Sequence, residues 1–261
     1  MLKNKKILIA GVRNRRSLAY AIAARAAAEG ATLAFAVQPD NRGDDNKAIA
    51  LVNEDFTGAT TYLCDASADD DMIRAVNGAA ADMGGLDGVV HAIAFARREA
   101  IAGAYHDGIS RDAFAEAMDI SAYTLTAFAK AALPHFSDNG AIVTLTYLGA
   151  ERALPNYNVM GVAKAALEAS VRYLALSMGG SGVRVNAVSA GPVKTLSAAG
   201  IGGFGKILKK VEQQAPLKRN ITAEEVAAAA VFLLSDNAAG ITGEVLHVDA
   251  GFNITAGLDS D

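Results

Sequence analysis

A single cysteine, Cys64, stands among 261 residues, so the chain can form no internal disulfide and fits a reducing compartment. Long apolar runs are missing. The longest, residues 227–234, is flanked by Glu224, Glu225 and Asp236, and it falls well short of the ~20 residues that cross a bilayer. The apolar run at residues 7–12 is too short for the core of a signal peptide and has no cleavage site. Positive charge is not in excess: the net charge is −4, which excludes the broad basic face of a nucleic-acid binder. Four histidines, at 91, 106, 135 and 247, have no metal-ligand spacing, so no metal is expected. No G-x-S-x-G elbow follows a strand, which argues against a serine hydrolase. No Pro/Ser-rich linker, internal repeat or low-complexity tail breaks the chain. These absences predict one soluble, cytoplasmic domain spanning residues 1–261.

What is present is a composition 52% hydrophobic and 20% charged, with much alanine and glycine. Such a chain can bury a large core, and its small residues let helices and strands approach closely. Short apolar runs at 6–10, 32–37, 60–63, 88–91, 141–146, 184–188 and 244–248 read as strands buried on both faces. Between them, helical patterns cover 17–29, 69–83, 111–136, 157–178 and 223–235. Glycine ends several, at Gly30, Gly84 and Gly179. The alternation predicts an α/β fold: a Rossmann-like, doubly wound, parallel seven-stranded sheet flanked by helices. Residues 193–214 carry Gly200, Gly202, Gly203 and Gly205 among apolar residues and lysines, and read as a weakly ordered helical flap.

In such a sheet ligands bind beyond the carboxyl ends of the strands. The first strand ends at Gly11, and a helix opens near Ser17 after a loop holding Arg13, Arg15 and Arg16. Gly11 permits a tight turn, and Ser17 with the helix N–H groups suits a pyrophosphate. The same residues also read as an ordinary loop with a serine N-cap. The second strand is followed by Gln38 and Asp40. A glutamine can bond a ribose diol and Asp40 repels a 2′-phosphate, which favours NADH, while Arg13, Arg15 and Arg42 leave NADPH open. Asp65, after the third strand, suits either an adenine amino group or an N-cap. Residues 91–96, His-Ala-Ile-Ala-Phe-Ala, are small enough to let a backbone approach a cofactor.

Tyr157 and Lys164 are seven positions apart, two turns along one helical face. An ammonium near a phenol favours the phenolate and eases proton release. A core tyrosine with an exposed lysine satisfies the same spacing. The wider pattern resembles the bacterial enoyl-acyl-carrier-protein reductases, a divergent branch of the short-chain dehydrogenase/reductases. The likeness runs from Gly11, Ser17, Gln38 and Cys64-Asp65 through Tyr147–Arg152, Pro155–Gly161 and Lys164 to Ser189–Pro192 and Asp249. Carbonyl-reducing relatives place tyrosine four residues before the lysine and serine thirteen before that tyrosine. Here those positions hold Met160 and Tyr147.

The resemblance implies reduction of an enoyl thioester's carbon–carbon double bond by NADH, in type II fatty acid synthesis. It implies that Tyr157 steadies the thioester oxygen, that Lys164 holds the nicotinamide ribose, and that Tyr147 lines the acyl site. It assigns cofactor contacts to Gly11, Ser17, Leu18, Gln38, Asp65, Ala66, Ile93, Lys164, Val193, Lys194, Thr195, Leu196 and Ser197. Ala96 and Met160, with Ile201 and Phe204, are implied to face the acyl chain. Relatives are usually homotetramers with the Lys164 helix at an interface. Lys206, Lys209, Lys210, Lys218 and Arg219, with Glu212 the lone acid among them, form a landing site for an acidic acyl carrier protein or simply a solvated helix face. A 3-oxoacyl (carbonyl) reductase of the same fold, or a non-catalytic NAD(P)-binding regulator, would share the nucleotide end but not this tyrosine pattern.

Overall fold

The computed structural model describes residues 1–40, 46–195 and 203–256. Seven strands form one sheet: β1 (Lys6–Ala10), β2 (Thr32–Val37), β3 (Thr60–Leu63), β4 (Leu86–His91), β5 (Phe136–Thr146), β6 (Arg184–Ala190) and β7 (Val245–Val248). Their order is β3-β2-β1-β4-β5-β6-β7, and every pairing is parallel. The order reverses between β1 and β4, the point where a doubly wound sheet opens a crevice.

Successive residues of a strand point to opposite faces, so each strand feeds two cores. Ile7, Ile9, Phe35, Val37, Val90 and Val143 pack on one side with Ile22 and Val226. Leu8, Ala34, Val89, Ile142 and Val185 pack on the other with Val76, Phe128 and Leu167. The first layer is covered by α1 (Leu18–Ala28), α2 (Lys47–Asp55) and, across the sheet's other half, α10 (Ala223–Leu234). The second is covered by α3 (Asp69–Met83), α7 (Thr124–Ala132) and α8 (Asn158–Met178). Each fully buried Val, Ile or Phe contributes about 1.5–3 kcal/mol, so both faces must stay closed.

The long helix expected over 111–136 is instead four pieces. Helix α6 (Arg111–Met118) runs into a π-turn at Asp119–Tyr123, then α7, then a 3-10 turn at Leu133–His135. Two hydroxyls here bond to residues outside the helices, Ser121 in the π-turn and Thr124 at the start of α7, which also donates to the carbonyl oxygen of Ile120. Ser121 accepts from Phe95 N and donates to Phe95 O, at 2.9 and 2.8 Å, and Thr124 meets His91 Nε2 at 2.8 Å. Pro134 lacks an N–H and ends the run, so Phe136 already belongs to β5. Gly30 and Gly84 adopt positive φ at helix ends as expected, but Gly179 does not; a 3-10 turn carries the chain on to Gly182, at φ 73°. Helix α2 and two short helices before α6, α4 (Arg98–Ile101) and α5 (Tyr105–Gly108), were not foreseen. The segment expected to form a flap contains α9 (Phe204–Gln214), which opens after Gly203 in left-handed conformation.

One glycine ties fold to site. Gly11 has φ +109°, and a Cβ there would lie 2.3 Å from the carbonyl oxygen of Ala92. The loops after β1 and β4 therefore touch backbone to backbone. Gly11→Ala should cost about 2–4 kcal/mol through strained φ and overpacking, read as a lower urea midpoint, with a larger proportional loss of dinucleotide affinity.

Candidate active site

A cleft of about 1210 Å³ opens at the carboxyl ends of the strands, large for a single small molecule. At its nucleotide end, Ser17 stands at the N-cap of α1, but its hydroxyl makes no bond to the helix. It accepts instead from Arg13 N and Asn14 N, at 3.2 and 3.1 Å. That bond folds the loop back and leaves the first helical N–H groups without a side-chain cap, in the position that suits an anion. Of the loop's arginines, Arg15 is taken: it grips Asp55 through Nε and Nη2, at 2.8 and 2.9 Å, and reaches Glu54 at 3.0 Å. Arg13 lines the cleft. Gln38 lines it too, as does Cys64, whose burial pushes its thiol up to about 12. Asp65 accepts from Ser67 N and Oγ at 2.9 and 2.7 Å. It therefore closes a local turn rather than capping α3, which starts four residues later after Ala68. Those bonds hold its carboxyl below the usual range. Arg42 lies outside the described residues.

The chemistry-bearing end is built where β5 meets α8. Lys164 is 6% exposed, and its Nζ donates to the carbonyl oxygen of Leu145 at 2.8 Å. Burial disfavours the ammonium and pushes its pKa down to about 8, against the opposing charge of Glu168. The ring of Tyr157 packs edge-on against that of Tyr147, with centroids 5.1 Å apart. Neither hydroxyl has a hydrogen-bond partner among the described residues, and both tyrosines line the cleft. The expectation that Lys164 would ease proton release from Tyr157 is reversed. Burial first, then Tyr147 and Glu168, raise the phenol well above its ordinary value, so it is a neutral hydrogen-bond donor. Burial also raises Tyr147.

Tyr157 is placed by its neighbours. Asn156 and Asn158 adopt φ of 59° and 37°, a region asparagine tolerates better than most residues. Asn158 also donates to the carbonyl oxygen of Gly103 at 3.1 Å. A Cβ on Gly149 would lie 2.3 Å from the Tyr157 ring, and one on Gly161 would lie 2.7 Å from the carbonyl oxygen of Gly149. Beneath this corner His91 is wholly buried between Thr144 and Thr124, at 2.9 and 2.8 Å. Burial, and then the charge of Lys164, push its pKa down to about 3, so it stays neutral.

Of the residues singled out in the sequence, Gly11, Ser17, Leu18, Ile93, Ala96, Met160, Val193, Thr195 and Phe204 also line this one cleft. Asp65 and Ala66 do not, and Lys194 faces a separate hollow beside Lys209 and Glu212. Leu196, Ser197 and Ile201 lie outside the described residues. Sequence reasoning missed a wall made by Phe252, Thr255 and Ala256. Arg152 secures it by donating to the carbonyl oxygens of Thr255, at 2.8 Å, and of Asn253. Phe252, an aromatic just past Asp249, was its only sequence signal.

The contact between Gly149 and the Tyr157 ring gives a direct test. Gly149→Ala should displace the ring and lower enoyl-thioester turnover by about tenfold or more, while thermal unfolding shows the chain still folded. Unchanged turnover would mean that the ring's position is not set from this side.

The comparisons agree with the geometry. A family profile described as enoyl-(acyl carrier protein) reductase matches residues 11–253. The enoyl-acyl-carrier-protein reductase (NADH) of Neisseria meningitidis is 49% identical over 98% of this chain and 97% of its own length. The enoyl-acyl-carrier-protein reductase (NADPH) of Staphylococcus aureus is 46% identical over 97% of this chain and 98% of its own. The crystal structure of the enoyl-acyl-carrier-protein reductase (NADH) from Aquifex aeolicus superposes with a TM-score of 0.92 at 45% identity, covering 98% of both chains. Likeness of this degree along nearly the whole chain places the protein in the enoyl-acyl-carrier-protein reductase family.

Proposed function

We infer that the chain reduces the carbon–carbon double bond of a trans-2-enoyl-acyl-carrier-protein, with NADH as reductant, in fatty acid elongation. The observation that carries this reading is the corner of the cleft where two neutral phenols without hydrogen-bond partners among the described residues meet, Tyr147 and Tyr157, with the buried ammonium of Lys164 lining the same cleft. Met160 lines the cleft one turn before Lys164, where a carbonyl reducer needs its proton donor.

The nucleotide end fits a dinucleotide by the chemistry of its donors: uncapped N–H groups at the start of α1, backed by Gly11 and Arg13. Bound NADH supplies the hydride that adds to the β-carbon. Leu18 and Ser17 would border the diphosphate and Gln38 the adenosine ribose, while Asp65 and Ala66, expected at the adenine, do not line the cleft. Ile93, Val193 and Thr195, which line the cleft, would border the nicotinamide half. Gln38 in place of a cation, and an Arg15 engaged by two carboxylates, favour NADH over NADPH. Lys164 hydrogen-bonds the nicotinamide ribose. Tyr157 donates to the thioester oxygen as negative charge builds there, which stabilises charge where it develops. Tyr147 and Ala96 orient the acyl group, and Met160 and Phe204 wall the chain.

Lys206 and Lys210 line the cleft and Lys209 faces the neighbouring hollow, a rim suited to an acidic carrier. Lys218 and Arg219 are less available, bonded to Gln213 O and to Glu225. Tyr173 and Leu176 of α8 are 76% and 81% exposed, which supports a homotetramer built on that helix. No described helix is long and apolar enough to cross a membrane, in keeping with a cytoplasmic enzyme; of the expected flap, about 193–214, residues 193–195 and 203–214 are described.

Loss of reduced-nicotinamide absorbance tests the reading. Crotonyl thioester should turn over and acetoacetyl thioester should not, with NADH used better than NADPH. Tyr157→Phe should lower turnover about 10²–10³-fold. Reduction of the ketone, or full activity in the phenylalanine variant, would overturn the proposal. Replacing Lys206, Lys209 and Lys210 by alanine should hurt a carrier-linked substrate several-fold more than a coenzyme A thioester; equal losses would remove the carrier from that rim.

A further inference from the structure

Three consecutive residues at the end of β5 are each held by a side chain from α8 or its N-cap. The Leu145 carbonyl accepts from Lys164 at 2.8 Å. The Thr146 hydroxyl donates to Glu168 Oε1 at 2.6 Å. The Tyr147 ring packs on Tyr157, which N-caps α8. Lys164 and Glu168 are one turn apart on one helical face. Glu168 is 7% exposed and forms no ion pair among the described residues. A carboxylate buried that way is costly unless something compensates it. The compensation visible here is the Thr146 hydroxyl, backed by His247 and Arg172 and by the Lys164 ammonium on which Glu168 acts, and the functional reading above uses Glu168 for nothing.

We propose that Glu168 is a positioning residue of this site, keeping Lys164 in its charged form and pinning the strand end that carries Tyr147. The proposal rests on the enoyl reductase reading of the cleft. Lys164 is faced by Glu168 from its own helix and by His91 at the end of β4. His91 and both tyrosines are neutral at the relevant pH, so Glu168 is the anion that opposes burial of the ammonium. Glu168 is itself faced by the Glu151–His247 pair, 2.9 Å apart, and by Arg172. Burial, helped by Glu151, holds its carboxyl above the usual range, although Thr146, His247 and Arg172 pull it down.

The sign of the effect is fixed. Lys164 acts as a cation, so activity falls as pH rises through its pKa, and removing the neighbouring anion moves that fall to lower pH. Glu168→Gln keeps an acceptor for Thr146 and loses the charge. Under saturating NADH, its alkaline midpoint for crotonyl-thioester turnover should fall by about half a unit or more. Glu168→Asp keeps the charge and should keep the parent midpoint. Thr146→Val loses only the hydrogen bond and should lower kcat at every pH without shifting the midpoint. Thermal unfolding identifies any variant that fails to fold. If the glutamine variant does not fold, Thr146→Val carries the test, and an unchanged kcat there overturns the proposal. Superimposed profiles for parent and Glu168→Gln, or equal shifts for Asp and Gln, also overturn it. A parent without enoyl turnover would defeat the functional reading instead. The Glu168 claim would then be read from the pH dependence of NADH binding, which calls on the same cation.

Discussion

Burying the ammonium of Lys164 against the Leu145 carbonyl constrains everything around it. An ammonium removed from water needs acceptors close by, and here the acceptor is a strand end. Helix α8 must therefore hold one register along β5. That register brings Glu168 to Thr146 and the N-cap Tyr157 to Tyr147. The glycines at 149 and 161 make the approach sterically open, since a methyl group on either would collide with Tyr157 or with backbone. The site is in this sense a product of helix-on-strand packing.

Much of this was legible in sequence, for identifiable reasons. Strands buried on both faces write themselves as apolar runs, and β1, β2 and β3 begin and end where those runs do. Helical periodicity is local, so Tyr157 and Lys164 could be singled out in sequence; both line the cleft, Tyr157 from the N-cap of α8. What was not legible depends on distant partners. Ser121 and Thr124 look like ordinary helix residues until Phe95 and His91 draw their hydroxyls inward. Asp65 looks like a helix cap until Ser67 claims its carboxylate. The protonation of Tyr157 was misjudged because spacing reports the nearness of a charge and says nothing of burial, and burial is the larger effect.

The two ends of the cleft use electrostatics in opposite ways. At the nucleotide end the positive character comes from backbone: α1 begins uncapped and has no acidic residue in its first turn. Arg15, which sequence would count toward that charge, is neutralised by Asp55 and Glu54. At the other end, the buried ammonium of Lys164 has a neutral histidine and one carboxylate, Glu168, as its titratable neighbours, so a charge developing there meets little water to screen it.

Arg152 connects the loop after β5 to the carbonyls of residues 253 and 255, about a hundred positions along the chain. The last strand, Val245–Val248, lies only seven residues before Thr255, so during synthesis that strand and the tether become available almost together. A nascent chain can thus bury the layers around its first six strands while the sheet's last strand and the wall of the cleft are both still unmade.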